Sequence, residues 1–272
     1  MGRQITTTTP SGLIATVRGL KGAEINLFAN KTEAEQRNVG MELLDSITLS
    51  VEDAGPLYEL DDKGRPDWEK LIDADRFWLY MFGRIATYGA DYVFRYQCGK
   101  ATCRHRFGWG VQLDRDLKQK QLPARSIEQF LEGNCFGPIH FGDDEIHFQL
   151  LTGEIEKAGL AMKNRRPDEA TTLTVANRIK ALNADESKVN IHNWVKALDL
   201  LDLLDLIDEL DRVDGGIDTD IEIQCPKCGH IQEVRLPLGV DFWTPDKRLR
   251  SLVKKGVKIP EGGGHIRLSS DS

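Results

Sequence analysis

Cysteines are the residues of this 272-residue chain whose types and spacing point most directly to chemistry. Four of the five cysteines form two close pairs, Cys98 with Cys103 and Cys225 with Cys228. Two thiolates that bracket a tight turn face one point, and a second such turn completes the tetrahedral four-cysteine shell that zinc prefers. We therefore predict one structural Zn²⁺ ion per chain, bound by these four cysteines.

The same cysteines allow other interpretations. They could be two unrelated reduced pairs, or CPKC could be a redox pair. A thioredoxin-type motif opens a helix after a strand, however, and β-like residues follow CPKC here. His105 and His230 lie close enough to the pairs to act as ligands, but four thiolates suffice, so we expect both histidines to face solvent. We predict that the fifth cysteine, Cys135, is a small core residue.

A shell of four cysteines leaves no open coordination position, so the predicted metal is structural rather than catalytic. The sequence contains no Ser-His-Asp order, nucleophile elbow, P-loop or dinucleotide fingerprint. We therefore expect no catalytic residues, no organic cofactor and no enzymatic activity. A metal-stabilised enzyme of unknown type is the weaker alternative.

Composition narrows the class of protein. The chain carries 36 basic and 43 acidic residues, and the resulting net charge of −7 argues against a protein that coats duplex nucleic acid. The densest apolar run, residues 77–83, is too short to cross a bilayer, and the N-terminal sequence lacks the apolar region of a secretory signal. We expect no membrane segment and a cytoplasmic location, where cysteines stay reduced.

The elements that must position the thiols can be recognised from their periodicity. Residues 92–113 and 218–238 each alternate in the manner of a strand, a turn and a second strand, and each contains one cysteine pair. We predict an α+β fold: a split four-cysteine zinc ribbon of two β-hairpin knuckles, with N-terminal helices and a mainly helical insertion between the knuckles. The predicted units are a loose N-terminal arm with helices over 1–90, the ribbon over 91–113 plus 218–240, an inserted hairpin and helical region over 114–217, and a basic flexible tail over 244–272.

Helical periodicity of three and four residues is the second local signal. It predicts helices over 32–47, over 66–72, over 75–88, over 153–162, over 169–182 and over 187–213.

An acidic run lies within the last of these helices. Its aspartates recur every three residues, so they drift around a helix that turns once in 3.6 residues. They lack the alternating ligand pattern of a calcium loop, and we expect a solvated acidic surface that steers a basic partner. The aspartates are Asp199, Asp202, Asp205, Asp208, Asp211 and Asp214.

Three segments carry a family resemblance: PSGLIATVRGLKGAEINLF, FQLLTGEIEKAGL, and IQCPKCGHIQEVRLPLGVDFW near the end. In order and character, over roughly residues 10–245, they resemble the small baseplate hub proteins of T4-like contractile-tailed phages. The resemblance implies a bacteriophage tail protein, either a structural component of the virion baseplate hub or a factor in its assembly. Its partners would be other tail or hub proteins in the host cytoplasm.

A zinc-ribbon nucleic-acid-binding protein is the alternative function. Basic residues surround the first knuckle, aromatic Phe107 and Trp109 lie nearby, and the C-terminal region is rich in lysine and arginine. The acidic balance of the chain argues against this function. The basic residues of the first knuckle are Arg95, Lys100, Arg104 and Arg106.

Overall fold

The computed structural model describes residues 3–28, 39–238, 240–243 and 263–266. Over these ranges the chain is a mixed α+β protein with several small antiparallel sheets, as predicted. The strands are β1 (Gln4–Thr8), β2 (Ile14–Arg18), β3 (Thr48–Asp53), β4 (Asp91–Gln97), β5 (Arg106–Gln112), β6 (Gln119–Lys120), β7 (Phe136–Phe141), β8 (Asp144–Phe148), β9 (Ile179–Leu182), β10 (Gly216–Ile217), β11 (Asp220–Gln224), β12 (Ile231–Arg235) and β13 (Gly264–Ile266). The α-helices are α1 (Val39–Ile47), α2 (Asp73–Tyr88), α3 (Ala124–Leu131), α4 (Gly153–Arg165), α5 (Ala170–Arg178), α6 (Lys188–Ala197), α7 (Leu200–Arg212) and α8 (Val240–Trp243).

The N-terminal residues form a sheet in the order β1-β2-β3. Alternation buries Ala15 and Val17 of β2 against the apolar side of α2. Our prediction of a loose arm is wrong for residues 4–8, because β1 pairs with β2 along its length and Trp78 Nε1 donates to Thr7 Oγ1 over 2.8 Å. A short 3₁₀ helix, Gly22–Phe28, follows the sheet.

Two of the predicted N-terminal helices differ in extent or type from the observed structure. The predicted helix over 32–47 is observed as α1, and residues 32–38 lie outside the described part. The predicted helix over 66–72 is wrong: Pro66 and Ile72 form isolated β-bridges, and a turn over 68–70 lies between them. Glu69 N–H donates to the Asp67 carboxylate and Ile72 N–H to the Tyr58 hydroxyl, so side-chain acceptors replace the helical carbonyls.

The region between the hairpins has its own core. Sheet β7-β8-β9 packs with α5, α6 and α7 around Phe136, Ile146 and Ile179. The predicted helix over 169–182 ends at Arg178, because Ile179 is extended and pairs with Phe148 of β8. The predicted helix over 187–213 is two helices, because Asp199 is extended and opens α7.

A second core lies between the two hairpins and the apolar face of α2. It contains Trp78, Met81 and Ile85 from α2, together with the buried side chains of the hairpin strands. Strand β13 pairs with β5, so the prediction of a flexible tail over 244–272 is wrong for residues 264–266, while 244–262 and 267–272 lie outside the described residues. No helix in the described part of the chain combines the length and apolar character needed to cross a membrane.

Candidate metal centre

The first cysteine pair lies at the turn between β4 and β5, which pair from Asp91–Gln112 to Gln97–Arg106. Cys98 directly follows β4, and its backbone N–H donates to the carbonyl of His105 over 2.9 Å. Cys103 closes the turn by donating to the carbonyl of Lys100 over 2.8 Å. The turn therefore places both thiols on the same end of the hairpin.

The second hairpin repeats this construction. Cys225 directly follows β11, and its N–H donates to the carbonyl of His230, again over 2.9 Å. Gly229 donates to the carbonyl of Cys225 and adopts a φ of 69°, a left-handed conformation that glycine reaches without strain. In both turns, therefore, the first cysteine is held by a hydrogen bond to the carbonyl of the residue that precedes the second strand of the hairpin.

The four sulfur atoms meet between the two turns. All lie within 4.8 Å of one another, with Sγ–Sγ distances of 3.7 Å for Cys98–Cys228 and 3.8 Å for Cys103–Cys225. A tetrahedral centre with metal–sulfur bonds of about 2.3 Å requires sulfur–sulfur distances of about 3.8 Å, whereas a disulfide bond is about 2.05 Å long. The four cysteines are free thiols arranged so that they could hold a metal ion.

The four thiols differ in their exposure to solvent. Cys98 and Cys225 are buried, Cys103 is half buried and Cys228 is exposed. Burial raises the pKa of the Cys98 thiol to about 12, whereas a hydrogen bond from the backbone of His230 lowers the pKa of Cys228 to about 7. Because a metal binds thiolates, metal binding at this cluster would displace the proton from the Cys98 sulfur.

Side-chain contacts hold the hairpins in register with each other. Gly99 N–H in the first turn donates to Gln232 Oε1 on β12 over 2.8 Å. Phe107 of the first hairpin and Ile223 and Val234 of the second are buried in the same core. Sequence reasoning missed Gln232, since its only signal is a polar residue on the inward side of β12.

The remaining sequence predictions for this region have mixed outcomes. Neither histidine belongs to the thiol cluster; His230 is exposed, whereas His105 is half buried with its ring 6.1 Å from that of Phe107. The prediction that Cys135 is a core residue is wrong, because this cysteine is exposed. The neighbouring Asn134 points inward and exchanges two hydrogen bonds with the backbone of Leu150, which turns the next side chain outward.

The acidic helix does not supply a competing metal site. In the described residues, the cysteine cluster is the one group of three or more Cys, His, Asp or Glu side chains arranged to share a metal ion. Asp211 and Asp214 instead bind the buried guanidinium of Arg178 over 3.0 and 2.8 Å.

Comparison with known proteins adds no further assignment. No protein-family model matches this chain, and neither the curated proteins nor the solved structures contain a significant match. The cysteine cluster is therefore the feature from which a function can be inferred.

Proposed function

We propose that Cys98, Cys103, Cys225 and Cys228 bind one Zn²⁺ ion and that the two hairpins form a split zinc ribbon. The convergence of four sulfurs from turns 122 residues apart supports this proposal most strongly. Chance pairs of core cysteines would have no reason to reach tetrahedral spacing across two hairpins. Zinc suits a tetrahedral tetrathiolate, as does iron, so metal identity is part of the test.

A closed shell assigns the metal a structural role. With four protein ligands, no position is left for substrate or water, so the ion would crosslink the hairpins and do no chemistry. We propose that the protein is not an enzyme and acts through protein–protein contacts. The sequence resemblance described above supports a role as a component or assembly factor of a phage tail baseplate hub, working in the host cytoplasm.

The metal proposal is tested by elemental analysis of the purified chain. We expect about one zinc per chain, and loss of most of it when any one of the four cysteines is changed to serine. Structural zinc in small peptides contributes on the order of 10 kcal/mol to folding, so these variants should also be destabilised. Cys135→Ser is the matched control and should keep its zinc. Folded protein without metal would refute the proposal, and stoichiometric iron would refute zinc.

The hub proposal is tested by co-expression with the tail-tube, tape-measure and hub proteins of a contractile-tailed phage. We expect the chain to copurify with at least one of them, in a complex that persists after nuclease treatment. Failure to associate with any of these proteins, by a chain that carries its metal, would count against a role in the hub.

Nucleic-acid binding is the second candidate, because Lys100, Arg104 and Arg106 are exposed around the first turn. Zn²⁺ with four thiolates carries a net charge of −2, however, and nearby cations offset that charge without any nucleic acid. The two functions are separated by retention on DNA or heparin. A nucleic-acid binder would elute later than expected for a net charge of −7 and with strong salt dependence.

A further inference from the structure

Helix α7 carries leucines on two opposite sides. Leu206 and Leu210 face inward and are fully buried in the core of the inserted region. Leu200, Leu201 and Leu204 instead expose 70%, 75% and 48% of their surfaces. Positions three and four apart are neighbours on a helix, so these three side chains form one apolar patch. Apolar side chains clustered in solvent mark interaction sites more often than they serve folding.

Exposed carboxylates surround this patch. Asp205 and Asp208 follow Leu201 and Leu204 by four residues each, so they continue the same side of the helix. Neither has an ion-pair partner in the part of the chain that the structure describes, in contrast to Asp211, which binds Arg178. We call Leu200, Leu201, Leu204, Asp205 and Asp208 the outward face of α7.

The charge of this face selects among its potential occupants. Two copies of the chain that met through it would place aspartates against aspartates, since a twofold contact pairs the same surface. Nucleic acid and anionic lipid surfaces are negative and would be repelled as well. A helix with leucines at three- and four-residue spacing, flanked by lysine or arginine, matches both the apolar patch and its acidic border.

We propose that the outward face of α7 binds a basic amphipathic helix of a partner protein. This inference rests on the proposed function, because it names the class of partner through which the protein would act. The leucines would supply contact area, and the aspartates would set orientation and speed association.

A synthetic peptide tests the proposal directly. The probe is a fluorescein-labelled helix of about 18 residues, long enough to be helical when bound, with leucine at three- and four-residue spacing and lysine elsewhere. A control peptide has the same composition in an order that breaks the spacing. We expect the metal-loaded full chain to bind the amphipathic peptide at least about tenfold more tightly than the control in fluorescence anisotropy. Equal binding of the two peptides would overturn the proposal.

Two variants locate the binding site. Leu201→Ser with Leu204→Ser should weaken binding about tenfold or more. Asp205→Asn with Asp208→Asn should slow association, most strongly at low salt. The matched control for the first is Val189→Ser on α6, which removes another apolar side chain that is 64% exposed. Asp168→Asn, also exposed, is the control for the second. Affinity that is unchanged in both test variants would place the peptide elsewhere.

Other occupants give distinct results. Self-association of the parent chain that the leucine variant abolishes would indicate a second copy. Tighter peptide binding after Lys254→Ser with Lys255→Ser would indicate that basic residues of the chain itself compete for the face. Either result would overturn a partner helix. Zinc is measured on every sample, so a loaded protein that ignores the peptide contradicts only this inference, whereas a metal-free protein contradicts the zinc proposal.

Discussion

At the scale of single residues, Arg84 shows how the end of α2 is secured. Its guanidinium is buried; Nη1 donates to the carbonyl of Gly89 over 2.6 Å and Nη2 to that of Asp91 over 3.2 Å. The guanidinium also lies over the rings of Tyr92 and Phe242, at 5.2 and 5.1 Å. Burial lowers its pKa to about 10, so the side chain stays charged at neutral pH. Arg84 thereby joins α2, β4 and α8.

Replacing Arg84 should therefore destabilise the protein. We expect Arg84→Met to lower the free energy of unfolding by about 2–4 kcal/mol, because two carbonyls lose a charged donor and two rings lose a cation. Urea denaturation measures the change. Arg125→Met, at an exposed position of α3, is the control and should stay within about 0.5 kcal/mol of the parent. Similar losses in both variants would show that the buried contacts of Arg84 contribute little.

Asp214 predicts a pH dependence of stability. Burial raises its pKa from 3.8 to about 6, although Arg178 binds the carboxylate. The folded state then holds a proton that the unfolded state has released, so this group makes stability fall as the pH rises from about 4 to about 6. The side chain is about one-third exposed, and allowing for solvent screening we expect a fall of about 1–2 kcal/mol from this group.

Denaturation at pH 4 and pH 7 checks this dependence. Asp214→Asn removes the titrating group, so the variant should lose about 1–2 kcal/mol less over this range than the parent. The exposed Asp218→Asn should follow the parent. Parallel curves for the parent and Asp214→Asn would contradict the assignment.

Residue identity in the site could be predicted because ligand chemistry is local. A thiol pair around a tight turn can be recognised without knowledge of the fold, and all four predicted cysteines converge. The exposure of a side chain could not be predicted in the same way, because it depends on the residues that pack around it in the fold. A free cysteine is usually buried, yet Cys135 is exposed because the neighbouring Asn134 takes the inward position.

At the scale of elements, Gln232 joins one hairpin to the other. Its Oε1 is the acceptor for Gly99 N–H, and a Cβ at position 99 would lie only 3.0 Å from that oxygen. Groups that orient metal-binding turns commonly change metal affinity by about 10- to 100-fold. The hairpin pair therefore depends on this contact as well as on the sulfurs.

We expect Gln232→Ala to release metal to a competing chelator about tenfold more readily than the parent, while still purifying with metal. Gln121→Ala is the matched control, because Gln121 is exposed and lies outside both hairpins. A colorimetric chelator assay measures the release. Identical release from Gln232→Ala and the parent would show that the sulfurs alone fix the hairpins.

Strands could be predicted where the sequence of the strand itself alternates. They could not be predicted where the strand forms only by pairing with a strand distant in the sequence. Alternation of residue types in residues 92–113 identifies β4 and β5, although burial itself is continuous over Tyr92–Phe94 and Phe107–Val111. Strand β9 continues a helical pattern in the sequence, and only its pairing with β8, about 30 residues earlier, makes it extended. Strand β13 depends likewise on β5, far back in the chain.

At the scale of the whole molecule, the separation of the hairpin core from the core of the inserted region predicts an uneven response to metal removal. The hairpins and α2 share one core with the cysteines, whereas β7, β8 and β9 belong to the other. Chelation should therefore increase amide hydrogen exchange in β4, β5, β11 and β12 and leave β7–β9 protected. Exchange mass spectrometry resolves the two regions, and Cys225→Ser without chelator should reproduce the pattern. A uniform increase would show that the protein unfolds as one unit.

The organisation of the molecule was predictable as far as the convergence of the four cysteines requires it. Two half-sites on distant hairpins require the intervening chain to leave and return, which is what the described residues do. The packing of the intervening helices was not predictable. An amphipathic pattern indicates which face of a helix is buried, but it does not indicate which element covers that face. The leucines of α7 illustrate this, since Leu206 and Leu210 are buried whereas Leu201 and Leu204 are exposed.

The 122-residue separation between Cys103 and Cys225 also has a consequence in time. Ribosomes add about 5–20 residues per second, so the first pair of thiols is synthesised about 6–24 seconds before the second pair. During that interval, the nascent first hairpin can offer a metal only two of its four ligands. Under the proposed function, metal binding would wait until the inserted region has been synthesised, so a loaded site would require the chain between the hairpins to have folded back on itself.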